Sequence, residues 1–252
     1  MEKASRLGEE RYNNFGSIMV IEKYRKATDI DVYFPEYNWT AKNKQYVSFK
    51  KGNIVCPYEK RTFSKGYIGE GKYKSRENGK KTIVYTMWQS MLYRCYDEDT
   101  HKKHSTYIGC TCEAFHCFQD FGKWFEENYY ECKGEVMCLD KDILIKGNKI
   151  YSPNTCVFVP QSINKLFEKA NKSRGELPLG VSYDKKNKKY LAQCSVKGKQ
   201  TNLGRYDTPE EAFQVYKQFK ENVIKQVADE YKDSIPEKLY NAMYEYEVEI
   251  ED

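Results

Sequence analysis

Between Gly180 and Phe219 the chain carries a pattern that few folds can accommodate. Gly180-Val181-Ser182-Tyr183 runs into the turn residues Asp184-Lys185-Lys186-Asn187. Tyr190 to Val196 and Thr201 to Arg205 are two further alternating stretches, separated by Lys197-Gly198-Lys199. Alternation at period 2, broken by Gly, Asn and Asp, marks short strands joined by tight turns. Thr208 then stands at an N-cap position with Pro209 at N1 and Glu211 at N3, a capping box, and Ala212, Val215, Tyr216 and Phe219 follow at helical spacing. The pattern predicts a three-stranded antiparallel sheet packed on one helix over residues 176–232. By alternation Val181, Tyr190, Ala192, Cys194 and Leu203 face the helix. Ser182, Asp184, Leu191, Gln193, Ser195, Gln200 and Asn202 face away from it.

The rest of the chain reads as an α+β arrangement. Residues 1–66 form a small β module, with strands expected at Ser17 to Lys23, at Asp29 to Phe34 and at Lys44 to Lys50, and a turn at Lys51-Gly52-Asn53. Residues 67–85, rich in Gly and Lys, have the composition of a flexible basic linker. Residues 86–172 form a central module. It opens with a helix that places Trp88, Met91, Leu92 and Cys95 on one face, and a second helix from about Cys112 to Asn128 buries Phe115, Phe118, Phe121, Trp124 and Phe125. An apolar strand, a Gly147-Asn148 turn, a short helix entered at Ser152 with Pro153 at its first position, the apolar run Cys156 to Val159 and a further helix complete it. The tail, 233–252, alternates Tyr244, Tyr246, Val248 and Ile250 with glutamates, which reads as an edge strand with an acidic face or a segment folded onto the basic body.

Charge bears on partners. The chain has 42 Lys and Arg against 37 Asp and Glu, a net +5, yet the last twelve residues carry five acids and no base. The first 240 residues therefore hold +10, a balance that permits binding to nucleic acid. Apolar runs are only a few residues long, which excludes a spanning helix, and Met1-Glu2-Lys3-Ala4 has no apolar core of a signal peptide. The expectation is a cytoplasmic protein with no membrane association, whose nine cysteines stay reduced. Their spacing matches no paired Cys-x-x-Cys knuckle, and Cys112, Cys117, Cys138, Cys156 and Cys194 fall in apolar patterns, so they read as core residues rather than as ligands of structural Zn²⁺.

One short unit suggests metal chemistry. Asp140 and Asp142, one residue apart, project to the same face of a strand and offer hard oxygen ligands of the kind that Mg²⁺ or Mn²⁺ takes, and Asn164 on the following helix can add another. The alternative is a solvated charge cluster at a strand end. Hydrolysis would also need a base to activate water, for which the chain offers Lys141 or one of the distant His101, His104 and His116.

Two resemblances add to this reading. Trp88-Gln89-Ser90-Met91-Leu92-Tyr93-Arg94-Cys95-Tyr96, then Cys112-Glu113 and Trp124, then Leu139-Asp140-Lys141-Asp142 through Tyr151-Ser152-Pro153-Asn154-Thr155-Cys156 to Ile163-Asn164, resemble bacteriophage HNH homing-type endonucleases, which have a ββα-metal fold. The resemblance implies Asp140 as the metal-binding acid, Asn154 as the asparagine that braces the hairpin and Asn164 as the last ligand. Where that family has its general-base histidine this chain has Lys141, and a protonated lysine accepts no proton.

Leu179-Gly180-Val181, Lys189-Tyr190-Leu191-Ala192, Asn202-Leu203-Gly204 and Arg205-Tyr206-Asp207-Thr208-Pro209-Glu210-Glu211-Ala212 with Tyr216 resemble the apetala/ethylene-response-factor DNA-binding domain over about residues 178–220. That resemblance implies a sheet seated in the major groove of double-stranded DNA. Ser182, Gln193, Ser195, Gln200 and Asn202 would reach bases, and Lys185, Lys186, Lys188, Lys189, Lys197, Lys199 and Arg205 would reach phosphates. Two functions follow as expectations. One is a phage or prophage DNA-binding protein that nicks DNA with Mg²⁺ or Mn²⁺. The other is an inactive HNH-like protein that binds DNA or a host or phage protein.

Overall fold

In a computed structural model, residues 6–168, 177–196 and 198–250 are described. The protein is a mixed α+β structure of several small antiparallel sheets and helices. The chain divides into two units, residues 1–127 with 150–153 and residues 128–149 with 154–252.

The first unit opens on a four-stranded antiparallel sheet in the order β1-β2-β3-β4: β1 Glu10–Tyr12, β2 Ile18–Lys26, β3 Asp29–Phe34 and β4 Trp39–Lys44. Alternation works as expected on β3, where Ile30, Val32 and Phe34 are fully buried beside Met19 and Ile21 of β2. The stretch from Lys44 to Lys50, expected as a strand, divides instead. β4 ends at Lys44 and Tyr46–Lys50 is a one-turn helix, α1. Tyr46 and Phe49 sit at i and i+3, so a helical turn puts both rings on one side, 6.0 Å apart and stacked, with Phe49 in the core.

Residues 67–85, read from composition as a flexible linker, are folded into the first unit. Tyr67 exchanges backbone hydrogen bonds with the His116–Phe118 segment, and the Gln119 amide holds both the N–H and the C=O of Tyr73 at 3.0 Å. Gly122 allows this, because a Cβ there would meet the Tyr73 ring at 2.5 Å. Arg76–Glu77 and Lys80–Lys81 (β5 and β6) form a hairpin around Asn78-Gly79, both at positive φ, the turn chemistry a two-residue loop requires. Composition had marked residues that close tight turns and let rings approach, not ones that leave a chain loose.

The helix expected from the spacing of Trp88, Met91, Leu92 and Cys95 runs as α2, Ile83–Tyr96, with the Thr82 hydroxyl accepting from Tyr85 N–H. All four of those residues are buried. After α3, Glu98–Lys103, the second expected helix begins later than Cys112: a single 3₁₀ turn at Glu113–Phe115 precedes α4, Phe118–Asn128. Trp88, Phe115, Phe118, Phe121 and Trp124 pack ring to ring at 5.2–5.9 Å, and the Trp88 indole N–H donates to the Phe115 carbonyl at 2.7 Å. The helix expected at Ser152-Pro153 does not form. Ile150 pairs with Thr111 in a bridge, and Tyr151 N–H donates to the Thr111 carbonyl at 2.7 Å, which holds this backbone extended up to the turn at Pro153–Thr155.

In the second unit β7, Met137–Asp140, pairs antiparallel with β8, Val157–Pro160, and α5, Gln161–Asn164, follows directly. The C-terminal sheet has the order β11-β10-β9, with β9 Val181–Asp184, β10 Lys189–Val196 and β11 Lys199–Tyr206. Helix α6, Pro209–Tyr231, starts with the complete Thr208–Glu211 capping box and packs Ala212, Phe213 and Tyr216 on Val181, Ala192 and Cys194. The tail is not a strand. Glu237–Tyr244 is a helix, α7, and the residues after it run without strand pairing. The alternation there reports sidedness without a partner strand: Val248 is buried in the sheet–helix core, while its N–H goes to Glu221 and its C=O accepts from Lys217. Lys146 holds the Glu247 carbonyl and the Glu249 carboxylate, so the acidic tail does fold onto basic groups of its own unit.

Candidate nucleic-acid interface and carboxylate hairpin

The faces of the C-terminal sheet are as alternation requires. Val181, Ala192 and Cys194 are buried against α6, with Tyr190 and Leu203 packed at the margin. On the opposite face, cross-strand pairing sets Leu191 opposite both Ser182 and Arg205, Gln193 opposite Asn202, and Ser195 opposite Gln200. Ser195, Gln200, Asn202 and Arg205 are exposed, and Ser182 and Gln193 are half-buried, with the Gln193 amide donating to Ser182 Oγ at 3.4 Å. The register slips between Ala192, opposite Gly204, and Gln193, opposite Asn202, so Leu203 is skipped, and the Gly204 N–H bonds the Asn202 side chain.

The β9–β10 turn is built by Asp184. Its carboxylate accepts from the N–H groups of Lys186 and Asn187, from the Asn187 amide at 2.7 Å and from Arg205 Nε at 2.8 Å. Arg205 and these donors hold the Asp184 carboxyl far below the usual carboxylate range. Asp184 thus works as an internal brace rather than as a group free to meet DNA, and it occupies the Arg205 guanidinium. Lys189 pairs with Asp207 at 3.0 Å. Lys185, Lys186 and Lys188 project from the turn, exposed, and among the described residues their ammonium groups have no ion-pair partner. Lys199 is exposed at the start of β11, and Lys197 lies outside the described residues.

Three strands of alternating polar residues, edged by lysines, form a polar face with cations at its rim. Amide and hydroxyl side chains can read base edges in the major groove, and rim lysines can meet phosphates on either side.

The hairpin at 137–164 brings Asp140 and Asp142 close together but arranges them otherwise than the spacing suggested. Asp140, half-buried at the end of β7, turns its Oδ1 back onto the N–H groups of Asp142 (2.9 Å) and Ile143 (2.7 Å). Burial, and secondarily the Asp142 charge, push its carboxyl above the usual aspartate value. Asp142 is exposed and its Oδ2 meets the Lys141 ammonium at 3.1 Å. Lys141 itself is 5% exposed, and its carbonyl accepts from the Asn148 amide at 2.7 Å. Asn154 is exposed in the turn before β8 and Asn164 is half-buried at the end of α5. The histidines all lie in the first unit: His101 donates to the Arg94 carbonyl at 2.9 Å, His116 takes the Tyr96 hydroxyl at 2.7 Å, its own pKa lowered by burial, and His104 is exposed beside the Tyr107 ring. Among the described residues no group of three or more His, Cys, Asp or Glu side chains stands ready to hold a metal ion.

Sequence reasoning missed two features of these sites. The burial of Lys141 leaves no trace in a Leu-Asp-Lys-Asp string. Lys220 does leave one. It stands between Tyr216 and Val223 at i+4 and i−3 on the buried stripe of α6, where an apolar residue is expected. Comparison with known protein families, with curated proteins and with solved structures finds no match to this chain.

Proposed function

We propose that this chain is a DNA-binding protein that docks the outer face of its C-terminal sheet in the major groove, with the 137–164 unit kept as architecture. The observation that carries the reading is the concentration of Lys185, Lys186 and Lys188, exposed and without an ion pair among the described residues, at the rim of a face lined by Gln193, Ser195, Gln200 and Asn202. The strand–loop–strand–helix order of 137–164 supports an HNH-like element, as in phage or prophage proteins working in the bacterial cytoplasm. Its side chains argue against cleavage. Lys141, in place of a general base, is buried and faces Asp142, and Asp140 is spent on a turn. A host or phage protein as partner of the acidic tail has weaker support, because Lys146, Lys217 and Glu221 already engage that tail.

A second reading, a metal-dependent nickase, is favoured by one observation. Asp140 and Asp142 lie close together, and the Asp140 carboxyl is raised, by burial first and by the Asp142 charge second, both of which a divalent cation would offset. Asp140, Asp142 and Asn164 would hold Mg²⁺ or Mn²⁺, which supplies charge to a scissile phosphate. Gel shift and plasmid nicking on the same samples decide. A salt-sensitive shift without cleavage supports the first reading, and Mg²⁺- or Mn²⁺-dependent nicking that Asp140→Ala abolishes supports the second. No shift at low salt would remove both.

A further inference from the structure

The second unit holds a cavity of about 1220 Å³ whose wall runs from the sheet around its edge to α6. Lys220 lines it, and also lines a smaller adjoining space under Tyr246 and Val248. No ion pair or hydrogen bond is found for the Lys220 ammonium among the described residues. Burial lowers its pKa, with only the Cys194 thiol acting the other way. A desolvated ammonium without a counter-ion is costly, and it marks a place where an incoming anion gains what the protein does not supply.

The cavity is polarised. Glu135 and Glu230 stand with Tyr231 at its far end, ten residues along α6 from Lys220, a span of about 15 Å at 1.5 Å per residue. Glu135 is satisfied there by Tyr231 at 2.7 Å, and Ser162 Oγ bonds Tyr231 at 3.0 Å. Lys165 adds a cation, and Glu168, which shares the wall near Lys220, forms no ion pair with it. Between the ends lie a ring, Tyr216, and the amides of Gln161 and Gln193. Ser182, Gln193, Ser195 and Gln200 belong both to this wall and to the face proposed to meet DNA.

We propose that the cavity is a nucleotide-binding site in which Lys220 takes the phosphate and the Gln side chains take the edge of the base. The volume suits an organic anion rather than a bare phosphate, and side-chain amides are groups that bind base edges. The choice of a nucleotide over other organic anions rests on the DNA-binding reading. The shared chemistry is a nucleoside phosphate, supplied either as a free mononucleotide or as an unpaired nucleotide of a DNA strand.

The test is competitive acetylation of the full-length protein, with peptide mass spectrometry reading modification at Lys220. The competitors are deoxyadenosine 5′-monophosphate, deoxyadenosine, inorganic phosphate, and duplexes with and without one unpaired nucleotide. The mononucleotide is expected to protect Lys220 at millimolar concentration, and deoxyadenosine or phosphate alone to need at least about tenfold more, the worth of one charge-assisted contact. Protection by the interrupted duplex but not the paired one identifies a DNA strand as the source, and protection by the mononucleotide alone identifies a soluble nucleotide. Phosphate protecting as well as the mononucleotide, deoxyadenosine doing so, or no competitor protecting, overturns the assignment. Calorimetry on Lys220→Met, of matched length, should show the mononucleotide weakened by the same factor with the thermal transition retained. Because the labelling uses the wild-type chain, a poorly folded variant leaves the test intact. Duplex binding by gel shift is scored separately, so loss of the DNA-binding reading and loss of this site are distinguishable.

Discussion

The two antiparallel sheets use charge in opposite ways. Over Glu10 to Lys44 the N-terminal sheet interleaves six basic with five acidic side chains, whereas Val181 to Tyr206 carries seven basic residues and one acidic. In the first sheet the acids balance the bases almost one for one, and the arginines are held within the fold: Arg25 grips Asp29 and Asp31 together with the Asn43 side chain, and Arg11 meets Glu9. In the second, a single acid, Asp184, shapes the turn and takes Arg205, and Lys185, Lys186 and Lys188 beside it have no ion pair among the described residues. A sheet that neutralises itself has little to offer a polyanion. One that carries a net +6 from Val181 to Tyr206 pays a small repulsion at rest and recovers it on contact through counter-ion release.

The sharpest way to break this contrast is to rewrite the rim. Changing Lys185, Lys186 and Lys188 to glutamate should abolish duplex binding. Changing them to alanine should weaken it on the order of a hundredfold at low salt and flatten the salt dependence by about 0.9 per lost phosphate contact. Thermal stability should stay unchanged, and gel shifts across a salt series read the slope. An unaltered slope would refute the docking. Lys189→Ala should do less, because Asp207 already holds that ammonium.

The hairpin tests whether an acid outside both sheets behaves like those of the first. Asp140→Ala should cost about 1–3 kcal/mol in urea unfolding, since the N–H groups of Asp142 and Ile143 lose their acceptor, with DNA affinity unmoved. Asp140→Asn keeps an acceptor and removes a charge that burial disfavours, so it should unfold no earlier than wild type at neutral pH.

Arg25→Met should lower the melting temperature by several degrees while leaving DNA binding intact, because Asp31, 7% exposed at its side chain, loses its partner. An equal loss of DNA affinity would mean that the first sheet also touches DNA. The pH response is the finest test. The Arg25 guanidinium holds Asp31 at about 2, below the 3.8 of a free aspartate, so the unfolded chain takes up the proton first. The stabilisation is therefore complete above pH 3.8 and is lost as pH falls from 3.8 towards 2. An NMR titration of the Asp31 carboxyl should show this depression in wild type and not in Arg25→Met.

The C-terminal sheet and helix were legible because every local signal agreed: alternation, turn residues, and a capping box that formed as written. Elsewhere a correct signal pointed to the wrong element. The alternating tail is one-sided because Val248 enters a core, yet side chains rather than a neighbouring strand satisfy its backbone. In α1 five residues were too few to show a period, and the Tyr46–Phe49 contact decided the turn. In the candidate sites the residue types were visible but their obligations were not. Asp184 was expected on the outer face of the sheet but its tie from the turn to Arg205 was not visible, and the Asp140–Asp142 pair was visible while the turn that consumes Asp140 was not. Such commitments arise from three-dimensional neighbours, and a string of residues does not state them.

The short return of the chain into the first unit at Ile150–Pro153 has a consequence for synthesis. Tyr151 is 1% exposed there, with its N–H on the Thr111 carbonyl and its hydroxyl near the Arg94 guanidinium. A ribosome that has released residues through Glu127 has therefore not yet released a complete first unit. Some two dozen further residues, which themselves belong to the second unit, must emerge before Tyr151 can fill its place. Until then that place stays open, and a gene cut at residue 127 would encode a fragment that carries the same gap permanently.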